Sequence, residues 1–103
     1  MYLLCFTVPE THLESVKKAV FDAGGGKMGN YSHCCWQTLG EGQFMPLEGS
    51  SAYIGKLNKL ENISEYKIEV ICNESNIKAV ITALKNTHPY EVPFYQVIKV
   101  ENF

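Results

Sequence analysis

Residues 24–38 read Gly-Gly-Gly-Lys-Met-Gly-Asn-Tyr-Ser-His-Cys-Cys-Trp-Gln-Thr, and further glycines follow at positions 40, 42, 49 and 55. The stretch 24–55 holds the eight glycines of the chain, two of its four cysteines and its one tryptophan. The segments on either side have the apolar periodicity of ordinary helices and strands. We therefore expect any specific activity in or around this stretch.

The segment before the glycines predicts a strand followed by a helix. Residues 2–8 alternate, and because both of their faces are largely apolar, they are typical of a central strand covered on both sides. Residues 9–23 follow with apolar side chains at helical spacing, and Gly24 is a natural end for this helix. The apolar positions of the helix are Leu13, Val16, Val20 and Ala23.

The middle of the chain predicts a second strand over Tyr31–Leu39. In that strand His33 and Cys35 would lie on one face and Cys34 on the other. The Gly40-Glu41-Gly42 segment predicts a turn into a short partner strand at 43–45, and 46–55 reads as a loop.

The last third of the chain repeats the strand–helix–strand order. A third strand is predicted over Tyr66–Cys72, with pairing that begins as early as residues 59–60. Asn73 suits the N-cap of a second helix, and Pro89 blocks its continuation. A last strand is predicted over Phe94–Val100.

This order predicts one α+β domain over residues 1–103 with the ferredoxin-like βαββαβ arrangement. An antiparallel sheet would carry two helices on one face and an elaborated connection between its second and third strands. Two helices cover only one face, so apolar groups remain on the other. We expect them among Leu3, Cys5, Ile71 and Val97, and an uncovered apolar face favours self-association into a dimer or trimer.

Composition excludes several classes of function. The net charge is −2 and no basic cluster is present, which disfavours a nucleic-acid partner. All nine cationic residues are lysine, so no bidentate arginine clamp for phosphate is available. No apolar run is long enough to span a membrane, and residues 1–8 lack the basic start of a signal peptide. The cysteine spacing fits neither a disulfide framework nor a structural zinc site. A cytoplasmic location is the expectation.

Three segments carry candidate chemistry. The glycines at 24–26 are either a helix C-cap with a tight passage into the next strand or a mobile cleft rim that offers Lys27 to an anion. Residues 32–36 combine His33 with two thiols, either as metal ligands or as packing residues. In residues 88–93 two prolines hold His88, Tyr90 and Glu91 in an extended loop that suits metal coordination, a polar contact in a subunit cleft or a stiff connector.

Two families share these motifs. The sequence His-Pro-Tyr-Glu-Val-Pro at 88–93 resembles the loop before the last strand of CutA proteins, which are trimers related to PII signalling proteins. The match ends at Phe94, where CutA has an acidic residue. Residues 29–38, together with Gly40–Phe44, Pro46, Glu48-Gly49 and Ile54-Gly55, resemble the YqfO-type family, whose PII/CutA-like module is also found inserted in proteins with a dinuclear metal centre. The resemblance covers essentially the whole chain.

The resemblance implies a PII/CutA-like fold, a multimeric habit and a sensing or regulatory role. Dinuclear hydrolase activity does not carry over, because the flanking halves that bind the metals have no counterpart here. By analogy with PII proteins, residues 40–58 would contact partners, although they lack the PII nucleotide-binding motifs. CutA proteins are associated with copper binding and divalent-cation tolerance, and only His88 and Glu91 occupy matching motif positions.

We therefore expect a non-catalytic, oligomeric module that binds a small ligand or a partner protein. The alternative is a copper- or zinc-binding protein, with a divalent metal as cofactor. A small enzyme ranks last, because no acid–base pair with a clear mechanism is visible. The ligand or metal candidates are His33, Cys35, His88, Tyr90 and Glu91, and the loop or interface candidates are Lys27, Asn30, Tyr31, Trp36, Gln43 and Phe44.

Overall fold

The computed structural model describes residues 1–103 as one four-stranded antiparallel sheet with two α-helices. The strands, in the order β2-β3-β1-β4 across the sheet, are β1 (Tyr2–Pro9), β2 (Trp36–Phe44), β3 (Glu61–Cys72) and β4 (Tyr95–Lys99). The helices are α1 (Leu13–Asp22), which a short 3₁₀ helix at Glu10–His12 precedes, and α2 (Ile77–Thr87). The predicted βαββαβ order is confirmed.

β1 lies in the middle of the sheet, as its two apolar faces predict. It pairs with β3 on one side and with β4 on the other. Its alternate residues Leu4, Phe6 and Val8 are fully buried beneath the helices. Apolar side chains at helical spacing in α1 and α2 complete this core, including the fully buried Val16, Val20, Val80 and Leu84. Both helices form because burying these stripes removes a continuous apolar surface from water.

The other face of the sheet carries no helix. The register places Leu3 opposite Ile71 and Ile98, so these three side chains share this open face. The prediction that Val97 belongs to it is wrong, because Val97 pairs with Leu4 and therefore points to the helix side. A strand's side chains alternate, so shifting one residue along β4 changes the face.

The second strand is also misplaced by the sequence pattern. β2 begins at Trp36 and continues through Gly40-Glu41-Gly42 to Phe44, so the predicted turn at these glycines and the separate strand at 43–45 are wrong. All nine residues pair with β3, from Trp36 opposite Glu69 to Phe44 opposite Glu61. Neither Gly40 nor Gly42 has a positive φ, so both fit an extended strand. Pairing with β3 outweighs the weak local preference of glycine for turns.

The remaining differences concern the ends of elements. β3 begins at Glu61, close to the early start of pairing at 59–60 that the sequence allowed. The N-cap of α2 is Asn76 and not Asn73, because residues 73–76 first form a turn in which the Ile77 and Asn76 amides donate to the Asn73 carbonyl. β4 ends at Lys99 and begins one residue after Phe94.

The glycines after α1 act as a helix end and a tight passage, as the simpler interpretation predicts. Gly24 and Gly26 have positive φ values of 110° and 77°. The Gly26 amide donates to the Ile71 carbonyl, and the Gly26 carbonyl accepts from the Cys34 amide, each at 2.8 Å. The first bond holds the connection against β3, and the second closes the loop between Gly26 and Cys34. Neither helix is long and apolar enough to cross a bilayer.

Candidate functional site

A cleft of about 800 Å³ opens on the helix-free face of the sheet, at the end where β2 stops. Its walls come from the connection between β2 and β3, from the loop before β4 and from the adjoining ends of β1, β2 and β3. The lining is mainly apolar and aromatic, with Phe44, Tyr53, Tyr90 and Phe94 as its rings.

Two glycines on β2 leave room for this cleft. Gly40 and Gly42 lie on the open face, and a side chain at Gly40 would meet no atom within 4 Å. At Gly42 a β-carbon would overlap the carboxylate of Glu65. The strand therefore presents bare backbone to the cleft at Gly40, whereas the Glu65 carboxylate covers the backbone at Gly42.

Glu65 is the buried charge of the cleft. Only 8% of this residue is exposed, although most buried carboxylates in proteins are paired with a cation. The Tyr90 hydroxyl donates to Glu65 Oε2 at 2.6 Å, and no lysine or histidine forms an ion pair with the carboxylate. Burial, together with this hydrogen bond, raises the pKa of Tyr90 well above its usual value, so the phenol stays a donor.

His88 fixes the loop that carries Tyr90. Its Nε2 donates to the Thr7 carbonyl on β1 at 2.7 Å, and its Nδ1 accepts from the Tyr90 amide at 3.1 Å. This pattern requires the neutral tautomer with a proton on Nε2. Burial lowers the pKa of His88, although its bond to Thr7 opposes that shift. Both ring nitrogens are occupied, so His88 has no free lone pair for a metal.

Aromatic rings continue outward from His88 along the cleft. The Tyr90 ring lies 4.9 Å from His88 and 6.2 Å from both Phe44 and Tyr53, measured between centroids. Tyr53 in turn meets His12 edge-on at 5.4 Å. The connection between β2 and β3 is also held by Glu91, whose carboxylate accepts from the Ser51 amide at 2.9 Å. The rings and this bond close the connection over the end of the sheet.

The structure brings only part of the predicted site together. Gln43, Phe44, Tyr90 and Glu91 line the cleft, and the buried His88 positions Tyr90. The other candidates lie at the beginning of β2 or before it, and none of them lines the cleft. They are Lys27, Asn30, Tyr31, His33, Cys35 and Trp36.

The predicted pairing of His33 and Cys35 on one strand face is wrong, because both residues precede β2. His33 has a φ of 60° and packs its ring 5.0 Å from Phe21, while Cys35 is an exposed free thiol. No group of three or more His, Cys, Asp or Glu side chains lies close enough to hold a metal ion. The residues of a single chain therefore do not fit the divalent metal that the CutA resemblance implies.

Sequence reasoning missed Glu65, Tyr53 and the two glycines of the cleft. Glu65 precedes the predicted third strand and has the pattern of a solvated residue, because its cover comes from Tyr90, 25 residues away. The polar alternation Glu65, Lys67, Glu69 was the one available signal, since it places all three on one face. Nothing local indicates which of them is buried.

Comparison with known proteins agrees with this architecture. No family model matches the chain. A protein of Halalkalibacterium halodurans named "GTP cyclohydrolase 1 type 2 homolog" is 41% identical over 102 residues, which is 99% of this chain and 27% of the relative. The crystal structure of a Bacillus cereus protein "related to NIF3" is 40% identical with a TM-score of 0.84, over 98% of this chain and 26% of that one. This chain is a homologue of one module of those longer proteins. The predicted YqfO-type resemblance is thereby confirmed.

The module has the fold of CutA. CutA1 from Pyrococcus horikoshii superposes with a TM-score of 0.70 over 100% of this chain and 86% of that one, at 18% identity. An identity this low shows the fold alone. Because the module spans about a quarter of the length of its curated relatives, the activity of those whole proteins is not established for it by similarity.

Proposed function

We propose that this module is a non-catalytic, self-associating unit that binds a small ligand in the Glu65 cleft. The cleft carries the proposal. Its volume of about 800 Å³ lies in the range of about 300–1,000 Å³ that small-molecule sites occupy. It is mainly apolar with a few fixed polar groups, Glu65, Tyr90 and Glu91, which is the composition of a binding site.

A substitution that fills the cleft tests whether the ligand binds there. Gly40→Leu adds a side chain where a β-carbon meets no atom within 4 Å, so the sheet should accept it. We expect thermal-shift hits from a library of nucleotides, amines, organic acids and divalent metals on the wild type, and their loss in Gly40→Leu. A control, Ala79→Leu on the exposed side of α2, should keep every hit. Hits that survive in Gly40→Leu would place the ligand elsewhere.

Self-association is supported by the open face of the sheet. Leu3, Ile71 and Ile98 share this face, and Ile98 is 49% exposed. Trp36, 68% exposed, lies on the same face at the edge of the sheet. Apolar groups gathered on one uncovered face favour a contact with another chain, and a symmetric contact between copies is the commonest solution. The trimeric habit implied by the CutA resemblance supports the same assembly.

Light scattering coupled to size exclusion tests the assembly. We expect an oligomer for the wild type at micromolar concentration and a smaller species for Ile98→Glu. Ala79→Glu adds the same charge on the outside of α2 and should leave the oligomer intact. A wild-type monomer, or equal masses for the two variants, would contradict assembly through this face.

The longer relatives are named as homologues of GTP cyclohydrolase 1 type 2, and that name describes those whole proteins. We propose that this module performs no such reaction, because it holds no group of three or more His, Cys, Asp or Glu side chains that could bind a metal ion. A reaction with GTP, followed by chromatography for ring-opened products, tests this. The expected result is unchanged GTP; turnover that Glu65→Gln abolishes would overturn the proposal.

A divalent-metal role remains the second candidate, supported by the CutA fold. Because His88 has both nitrogens occupied, a metal would need His33, Cys35 or Glu91 from more than one chain. Calorimetric titration with Zn²⁺ and Cu²⁺ on the wild type, His88→Gln and Cys35→Ser tests it. Binding that Cys35→Ser weakens and His88→Gln leaves unchanged would support an intersubunit site.

We also propose a cytoplasmic location, which the four free cysteines favour.

A further inference from the structure

We infer that the cleft takes an organic cation, an amine whose ammonium pairs with Glu65 and whose apolar or aromatic body lies against the surrounding rings. The inference rests on the ligand-binding role proposed above and adds the chemical class of the ligand. It follows from the charges in the cleft, from the free oxygen of Glu65 and from the rings beside it.

Glu65 is a charged group whose counter-charge the chain does not supply. The residue is 8% exposed, and its carboxylate accepts a hydrogen bond at Oε2 from the neutral Tyr90 hydroxyl. The other oxygen, Oε1, accepts no hydrogen bond. Because every fully buried side-chain oxygen of the chain has a hydrogen-bond partner, Oε1 is not fully buried and stays accessible from the cleft. An uncompensated buried charge is unfavourable, and a cation at Oε1 would relieve that penalty.

The cationic side chain nearest to Glu65 along the strand is turned to another partner. Lys67 lines the cleft and shares the face of Glu65, but its ammonium lies 3.9 Å from the carboxylate of Glu69. Glu69 does not line the cleft. The chain has no arginine, so a phosphate or carboxylate ligand would find no bidentate partner here. The field at the base of the cleft therefore favours positive charge.

The aromatic side chains of the cleft would pack against the apolar part of such a ligand. The ring centroids of Phe44 and Tyr53 each lie 6.2 Å from that of Tyr90, with interplanar angles of 47° and 44°. Aromatic faces attract a nearby cation and pack against a flat apolar group. Gly40, the cross-strand partner of Glu65, leaves the sheet beside that residue bare, with no atom within 4 Å of where its β-carbon would be. An amine with one or two rings fits this combination of a buried carboxylate, aromatic walls and open space above Gly40.

Three indole probes of similar shape separate charge from shape. Tryptamine is a cation at neutral pH, indole-3-propionate an anion, and 3-methylindole is neutral. Calorimetry on the wild-type protein should give saturable tryptamine binding, at least about tenfold tighter than for either other probe. Glu65→Gln keeps an acceptor for Tyr90 and removes the charge, and we expect it to weaken tryptamine binding at least about tenfold. Glu74→Gln removes one charge from the exposed turn before α2 and should change nothing.

Each other outcome overturns the inference, and the outcomes are distinguishable. Equal or tighter binding of indole-3-propionate, or unchanged tryptamine binding in Glu65→Gln, would refute the cationic class and leave a ligand cleft of another chemistry. Library hits that Gly40→Leu abolishes, with no tryptamine among them, would do the same. An oligomer that dissociates in Glu65→Gln and binds no probe would assign Glu65 to a subunit contact. A cleft that binds no small molecule at all would remove the proposed ligand-binding role as well.

Discussion

Three polar side chains, His88, Tyr90 and Glu65, attach the loop before β4 to the sheet. Thr7 on β1 accepts from His88, and Glu65 on β3 accepts from Tyr90, so the loop is tied to two neighbouring strands. Pro89 and Pro93 restrict the backbone between and beyond these ties. The result is a stiff segment that holds Tyr90 and Glu91 at the edge of the cleft.

Acid should destabilise the fold through His88. Because burial holds the pKa of His88 below its unfolded value near 6.5, the unfolded chain binds more protons than the native one between the two values. The contribution of neutral His88 to the free energy of unfolding is therefore complete above about pH 6.5, and it is lost as the pH falls toward the lowered pKa of His88. Urea denaturation at several pH values should show this loss in the wild type and a flatter profile in His88→Gln. His33→Gln, at a histidine that packs on Phe21 away from His88, is the control and should keep the wild-type slope.

Removal of the Tyr90 hydroxyl should leave Glu65 buried without a donor. We expect Tyr90→Phe to lower the free energy of unfolding by about 1–3 kcal/mol, the usual effect of an unsatisfied buried group. Glu65→Gln combined with Tyr90→Phe should be less than additive, because the two residues share one hydrogen bond. Urea denaturation of the single and double variants measures the coupling. The Tyr53 hydroxyl forms no hydrogen bond within the chain, so Tyr53→Phe should have little effect.

At this scale the sequence predicts some site residues and misses others for a physical reason. His88 and Tyr90 are visible because the prolines beside them give the segment a recognisable rigidity. Glu65 is not visible, because its environment is made by a residue 25 positions away and by the connection between β2 and β3. Burial that depends on distant loops leaves no local pattern.

β2 is the element that the sequence pattern describes least well. Glycines at 40 and 42 and exposed polar residues give it no clear alternation, and its place is fixed by nine paired residues of β3. β1, α1 and α2 were predicted correctly because their apolar stripes are buried within the chain itself. The sequence therefore predicts the elements that form the core and fails where tertiary pairing decides.

The two glycines of β2 should respond oppositely to alanine. In Gly42→Ala the added methyl group overlaps the Glu65 carboxylate, which its hydrogen bond to Tyr90 holds in place, and we expect a loss of about 1–3 kcal/mol in the free energy of unfolding, typical of overpacking. In Gly40→Ala the methyl group enters open space in an extended strand. That substitution should be neutral or stabilise by up to about 1 kcal/mol. Thermal denaturation of the two variants compares them directly, and equal losses would contradict the crowded contact at Gly42.

At the scale of the whole molecule, assembly and stability should be linked. If the open face is covered by another copy, the native state is stabilised by mass action. The Tm should therefore rise with protein concentration in the wild type. In Ile98→Glu, which disrupts that face, the Tm should be independent of concentration. Differential scanning calorimetry over a hundredfold range of concentration is the measurement, and a constant wild-type Tm would contradict the link.

The central position of β1 also bears on how quickly the chain can fold. Tyr2 pairs with Cys72 on one side and with Lys99 on the other, so the middle of the sheet joins the first residues to the last third of the chain. Few contacts of this strand are local, and loops of this length must close before they are rewarded. Stopped-flow refolding should therefore be slow for a domain of this size, in the millisecond-to-second range. During synthesis, β1 must wait for β3 and β4 before its ladder is complete.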